Sequence, residues 1–112
     1  MKTKISSKLA IVALLLGCLV GWSARADAPA AWGTSCGSCH GKDGKGNTMM
    51  GRKLSIKDLT DPKVQASFTD ADATKAIKEG ISDNGTQQMK AFGDKLSDAD
   101  VKALVAYVRS LK

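Results

Sequence analysis

The chain has 112 residues, 43% of them hydrophobic but only 4% aromatic, and a formal net charge of +6 from 17 basic and 11 acidic side chains. That length supports one domain, and so few aromatics leave an unaided apolar core short of bulk. The charge does not favour nucleic acid as a partner: Lys2, Lys4, Lys8 and Arg25 fall among the first 26 residues, where no acid lies, leaving 13 bases against 11 acids in the rest, and no aromatic–basic interleaving is present.

Met1 to Lys8 is basic, and Leu9 to Val20 is an apolar run of 12 residues, suited to the core of an export signal and too short to span a bilayer. Ala24-Arg25-Ala26 has the small-residue form of a cleavage site. The expectation is a cleaved secretory signal peptide over 1–26, and a mature domain over 27–112 in the periplasm or another exported space. The mature form should have no stable membrane insertion. Leu15-Leu16-Gly17-Cys18 offers a lipid-anchored alternative, but Leu19-Val20-Gly21-Trp22 continues the apolar run where a polar tether is expected. An uncleaved anchor is a further alternative.

Asp27-Ala28-Pro29 reads as a helix start, with Asp27 as cap and Pro29 in the first turn, the helix running through Trp32 toward Cys36. Residues 41–47 are turn-rich. Met49-Met50-Gly51 and Leu54 follow with an apolar side. Thr60-Asp61-Pro62 starts a short helix ending near Phe68. Thr69-Asp70-Ala71-Asp72 starts another, with the spacing of a capping box, that stops at Gly80. Residues 81–96 show no period and read as loop. Ser97-Asp98-Ala99-Asp100 opens the last helix, whose Val101, Leu104, Val105, Val108 and Leu111 form one apolar stripe. No alternating strand pattern stands out, so the fold class is all-α.

Cys36-Gly37-Ser38-Cys39-His40 carries the chemistry. Two thiols one helical turn apart share a face, and an imidazole follows the second. C-x-x-C-H reads as a c-type haem attachment site, with Cys36 and Cys39 adding to the two haem vinyl groups as thioethers and His40 as proximal iron ligand. A thiol–disulfide pair needs no such His and expects a βαβ context. A closed zinc site needs four ligands, and the mature chain holds only these three Cys and His residues. A Cys36–Cys39 disulfide is sterically poor. Because His40 is the single His of the chain, a sixth ligand must come from Met49, Met50, Met89 or, less favourably, a Lys. Met89 precedes the last helix in a loop able to swing across the face opposite His40, but chain reach does not exclude Met49 or Met50.

These features, with Met89-Lys90-Ala91-Phe92, Leu96 to Asp100 and Leu104-Val105-Ala106-Tyr107-Val108, resemble the small single-haem class I bacterial cytochromes c over nearly all of residues 28–112. The resemblance implies about four to five helices wrapped around one covalently attached haem c, with Met89 as distal ligand. It also implies that the first and last helices cross through Trp32, Leu104 and Tyr107, with the small Ala28 allowing close approach. Two departures stand out. Lys90 replaces the Pro that many relatives have after the Met, implying a less rigid ligand loop. Met49 replaces a Pro whose carbonyl accepts from the proximal His, although a backbone carbonyl remains available, so an acceptor that orients the His40 ring is still expected.

The implied function is a soluble, monomeric electron carrier, not an enzyme, cycling Fe(III)/Fe(II) between redox partner proteins. A fixed electron-transfer subunit of a dehydrogenase or oxidase, and a gas-binding haem sensor with a labile distal Met, are the rivals. Lys42, Lys45, Lys90 and Lys95 are expected to form a basic rim for an acidic partner, with Asp58, Asp61, Asp70 and Asp72 set away from it.

Overall fold

Capping and apolar spacing divide the chain into short helices, and a computed structural model describes residues 27–112. The predicted signal segment, 1–26, lies outside the described residues. The first helical stretch is continuous but changes type: α1 (Ala28–Ala31), a π-helical turn (Trp32–Cys36) and α2 (Gly37–His40). Asp27 caps it by accepting from the Ala30 amide at 3.2 Å, and Pro29 sits in the first turn. Residues four apart share a face of a helical stretch, and Trp32 and Cys36 are both buried.

Two short helices follow, α3 (Met49–Lys53), absent from the sequence expectation, and α4 (Pro62–Ala66). Thr48 caps α3 through the Gly51 amide, and Asp61 caps α4 through the Lys63 amide, both at 2.8 Å. α5 (Asp70–Glu79) and α6 (Asp98–Ser110) open with full capping boxes, Thr69 with Asp72 and Ser97 with Asp100. In each, the serine or threonine hydroxyl and the carboxylate three residues on satisfy each other's backbone amides.

The expected loop over 81–96 is corrected in its first half. β1 (Ile81–Asp83) and β2 (Thr86–Met89) pair antiparallel through a two-residue turn, Asn84-Gly85, with Ser82 opposite Gln87 and Asp83 opposite Thr86. Both turn residues have positive φ, 49° at Asn84 and 76° at Gly85. Asn-Gly favours that conformation strongly enough to nucleate a hairpin where side-chain alternation is weak. An irregularity between Ile81 and Ser82 shifts the register so that Ile81 faces Met89. The hairpin is a minor addition to a helical fold.

The core lies where α1 and the π turn cross α6. Trp32 is 4% exposed, and Val101 and Leu104 are 1% exposed, with Cys36, Ile77, Val105 and Val108 completing the cluster. The rings of Trp32 and Tyr107 meet at 5.5 Å, and Ala28 packs against the same cluster. The predicted helix crossing is therefore present, with the predicted residues.

Arg109 near the end of α6 closes the opposite side. Its guanidinium donates to the Gln65 and Phe68 carbonyls at 2.6 and 2.7 Å, to Asp70 Oδ1 at 2.7 Å, and lies 4.4 Å from the Phe68 ring centroid. The chain between α4 and α5 is thereby held to α6 by a group whose planar fork can serve several acceptors at once.

Candidate haem site

Cys36 ends the π turn, and Cys39 and His40 lie in α2, so one helical stretch presents all three. Both thiols are free, Cys36 buried and Cys39 half-buried. Burial, reinforced by the neighbouring Cys39, pushes the Cys36 thiol above its usual range. Burial also pulls the His40 imidazole below its usual range, favouring the neutral form with a lone pair free for a metal. Two unpaired thiols and a neutral imidazole within five residues fit the donor set of a covalently attached haem.

The loop after His40 is tied back to this stretch by backbone groups. The Gly46 amide donates to the His40 carbonyl at 2.7 Å, and the Thr48 hydroxyl to the Cys39 carbonyl at 2.6 Å. The same Thr48 oxygen accepts from Gly51, so a single hydroxyl links α2 to the start of α3. Gly51 itself lies so close to Gly46 that a Cβ would overlap the Gly46 carbonyl oxygen. The sequence gives Thr48 no evident role and places Gly51 only on an apolar flank; the one local signal is a Thr three residues before a Gly at a helix start.

The backbone acceptor expected for the His40 ring is not found among the described residues. Nδ1 is buried and has no hydrogen-bond partner among the described residues. Met49, in the place expected to supply a carbonyl, is the first residue of α3 and turns its side chain outward at 79% exposure. What the ring does meet is Trp32, centroid to centroid at 5.5 Å with planes 43° apart.

Among the three methionines, Met50 is 39% exposed, whereas Met89 is half-buried and packs against the cluster that contains Cys36 and Trp32. Met89 ends β2, opposite Ile81. Its backbone lies against Gly80, where a Cβ would come within 2.5 Å of the Met89 carbonyl oxygen. Just beyond it, Phe92 and Gly93 donate to the Ile77 and Lys78 carbonyls at 2.8 and 3.1 Å. The segment that carries Lys90 in place of Pro is bounded by the hairpin on one side and by these bonds to the last turn of α5 on the other.

Residues 24–108 match the family described as cytochrome c oxidase, cbb3-type, subunit III. The chain belongs to the class I cytochrome c family. This cytochrome is 32% identical over 107 residues to cytochrome c6 of Synechococcus sp., an alignment covering 89% of this chain and 88% of that one. It is 33% identical over 95 residues to the cbb3-type cytochrome c oxidase subunit FixP of Azorhizobium caulinodans, covering 80% of this chain but only 30% of FixP. Among solved structures, the c-type cytochrome KustC0563 superposes with a TM-score of 0.68 at 34% identity, over 77% of this chain and 98% of that one. The family binds haem c covalently and transfers electrons through its iron, and that cofactor and coarse activity hold for this cytochrome. No helix among the described residues is long and apolar enough to cross a membrane.

Proposed function

We propose that the protein is an exported, soluble single-haem electron carrier in which Cys36 and Cys39 hold the haem, and His40 and Met89 are its axial ligands. The observation that carries the reading is the placement of the donors: Cys36, Cys39 and His40 follow one another on one helical stretch, and Met89 packs into the same apolar cluster as Cys36. When bound, the haem iron supplies a one-electron Fe(III)/Fe(II) couple. The chain's own part is to fix the imidazole beside the thiols and to clamp the methionine segment between the hairpin and α5. It also surrounds Cys36 with apolar side chains, which disfavour added positive charge and so favour the reduced state. A thioether ligand is soft and acts in the same direction. On this reading residues 1–26 direct export and are removed, and the mature protein works as a monomer between a donor and an acceptor.

The test is spectroscopic. The ferric protein is expected to show the weak red-end absorption of an iron–thioether bond, and Met89→Ala to abolish it and open the reduced protein to carbon monoxide. Survival of the band in Met89→Ala, with loss in Met49→Ala or Met50→Ala, would move the ligand to α3. Mass measurement of the exported protein should return the chain from Asp27 plus one haem.

A second reading has its own support. The matched family description and FixP both refer to an oxidase subunit, and a fixed electron-transfer subunit would share all the chemistry above. Recovery of the native protein in a stable complex with an oxidase or dehydrogenase, and not as a free monomer, would favour it.

A further inference from the structure

We infer that Trp32 is the positioning residue for the His40 imidazole, a role that rests on His40 being the proximal ligand as proposed above. A ligating histidine ordinarily has its ring plane set by a hydrogen bond from the nitrogen that does not face the metal. Here Nδ1 is buried without a partner among the described residues, so the plane needs another fixture. Trp32 supplies one from two directions. Its indole ring packs against the imidazole at 5.5 Å with a 43° tilt. Its Nε1–H donates to the carbonyl of Gly41, the residue that follows His40, at 3.0 Å in a buried setting. One side chain thus contacts the ring of the ligand and bonds the backbone of the residue after it.

Trp32 is in turn closely packed: it is 4% exposed, and Tyr107 of α6 backs it at 5.5 Å. A smaller aromatic such as Phe could fill much of this space but could not bond Gly41. The indole N–H is what couples the helix crossing to the ligand, so a group usually counted as core packing acts on the redox centre.

The experiment is proton NMR of the ferric holoprotein, in which the order and spread of the four haem methyl resonances report the orientation of the axial ligand planes. Trp32→Phe is expected to change that order and to shift the reduction potential. Leu104→Ala, which opens a cavity in the same crossing, should lower the melting temperature while leaving the order unchanged. An unchanged order in Trp32→Phe would overturn the proposal, as would the same change in Leu104→Ala. The unmutated protein gives a second reading should Trp32→Phe not accumulate. The Trp32 indole proton, held by Gly41, is expected to exchange only through global unfolding, and exchange by any faster route would also overturn the assignment. Failure of the ligand reading itself is seen separately, because the His40 ring protons of the unmutated ferric protein would then carry no contact shift.

Discussion

At Gly51 the missing side chain matters more than any side chain nearby. A Cβ there would overlap the Gly46 carbonyl oxygen and lie 2.9 Å from that of Cys39. Backbone atoms on both sides cannot give way as the tip of a flexible chain would. Gly33, in the π turn, has nothing within 4 Å of the same added atom. Gly51→Ala is therefore expected to displace α3 from the thiol-bearing stretch and sharply lower the yield of haem-attached protein. Gly33→Ala should be tolerated and stabilise by about 0.5–1 kcal/mol, because it reduces the freedom lost on folding. Denaturation midpoints and the haem-to-protein absorbance ratio of the two variants give the comparison.

Among the elements, the β1–β2 hairpin and the end of α5 decide how Met89 is held. Gly80 and Gly85 share nearly the same φ, 75° and 76°, so alanine strains both, yet only at Gly80 would the Cβ press on the Met89 segment. Gly85→Ala is expected to cost about 1 kcal/mol and leave the red-end band in place. Gly80→Ala should weaken or remove that band as well as lower the melting temperature. A second expectation concerns the helix starts. Backbone amides of Thr69 and Ser97 donate to Asp72 and Asp100 at 2.8 and 2.9 Å and hold both carboxyls below the usual carboxylate range. A carboxyl depressed in the folded state stabilises it above the unfolded pKa of about 3.9 and ceases to do so as pH falls through the folded value. Melting temperature should hold down to about pH 4 and then fall. Asp72→Asn and Asp100→Asn should each remove part of that fall and lower the plateau near neutrality.

On the scale of the whole molecule, the placement of charge bears on partners. The three ion pairs among the described residues use Lys75, Lys78 and Arg109 as cations. Lys42, Lys45, Lys90 and Lys95 stay exposed in the segments that flank His40 and Met89. The acids of the middle of the chain are already engaged: Asp61 and Asp72 in caps, Asp58 with Thr60, and Asp70 with Arg109 of α6. Such a division would let residues 27–112, with 13 bases against 11 acids, steer an acidic partner, acting on association rate more than on affinity. Electron transfer to a small anionic oxidant is expected to slow as salt rises, and transfer to a cationic one to quicken. The change should be largest as the Debye length falls from about 10 Å at 0.1 M to about 3 Å at 1 M. Stopped-flow rates for the unmutated protein and for charge reversal at Lys42 and Lys90 check this; equal, salt-independent rates would leave the rim without a role.

How much of this was legible without the fold differs from place to place. Cys36, Cys39 and His40 stand out in the sequence because a c-type attachment motif depends on residue type at fixed short spacing, which a helix preserves whatever packs around it. The starts of α1, α4, α5 and α6 were readable for a similar reason, since a cap is a bond between residues two or three apart. The apolar stripe of α6 and its crossing with Trp32 also followed from periodicity and family resemblance. The hairpin could have been found from Asn84-Gly85, whose turn chemistry is local, but β1 and β2 are exposed and lack the alternation that marks a half-buried strand. Other features lay beyond any local rule. That Thr48 reaches the Cys39 carbonyl, that Gly51 touches Gly46, that Gly80 abuts Met89, and that His40 Nδ1 meets no acceptor among the described residues while Trp32 meets the ring depend on how one element folds back on the next. Sequence by itself determined the attachment motif, and with it the class of cofactor, and where helices begin, because those depend on residue type and contacts within a turn or two. Only the tertiary structure decided what holds the ligand segments in place, because that depends on which backbones approach closely enough to exclude a single methyl group.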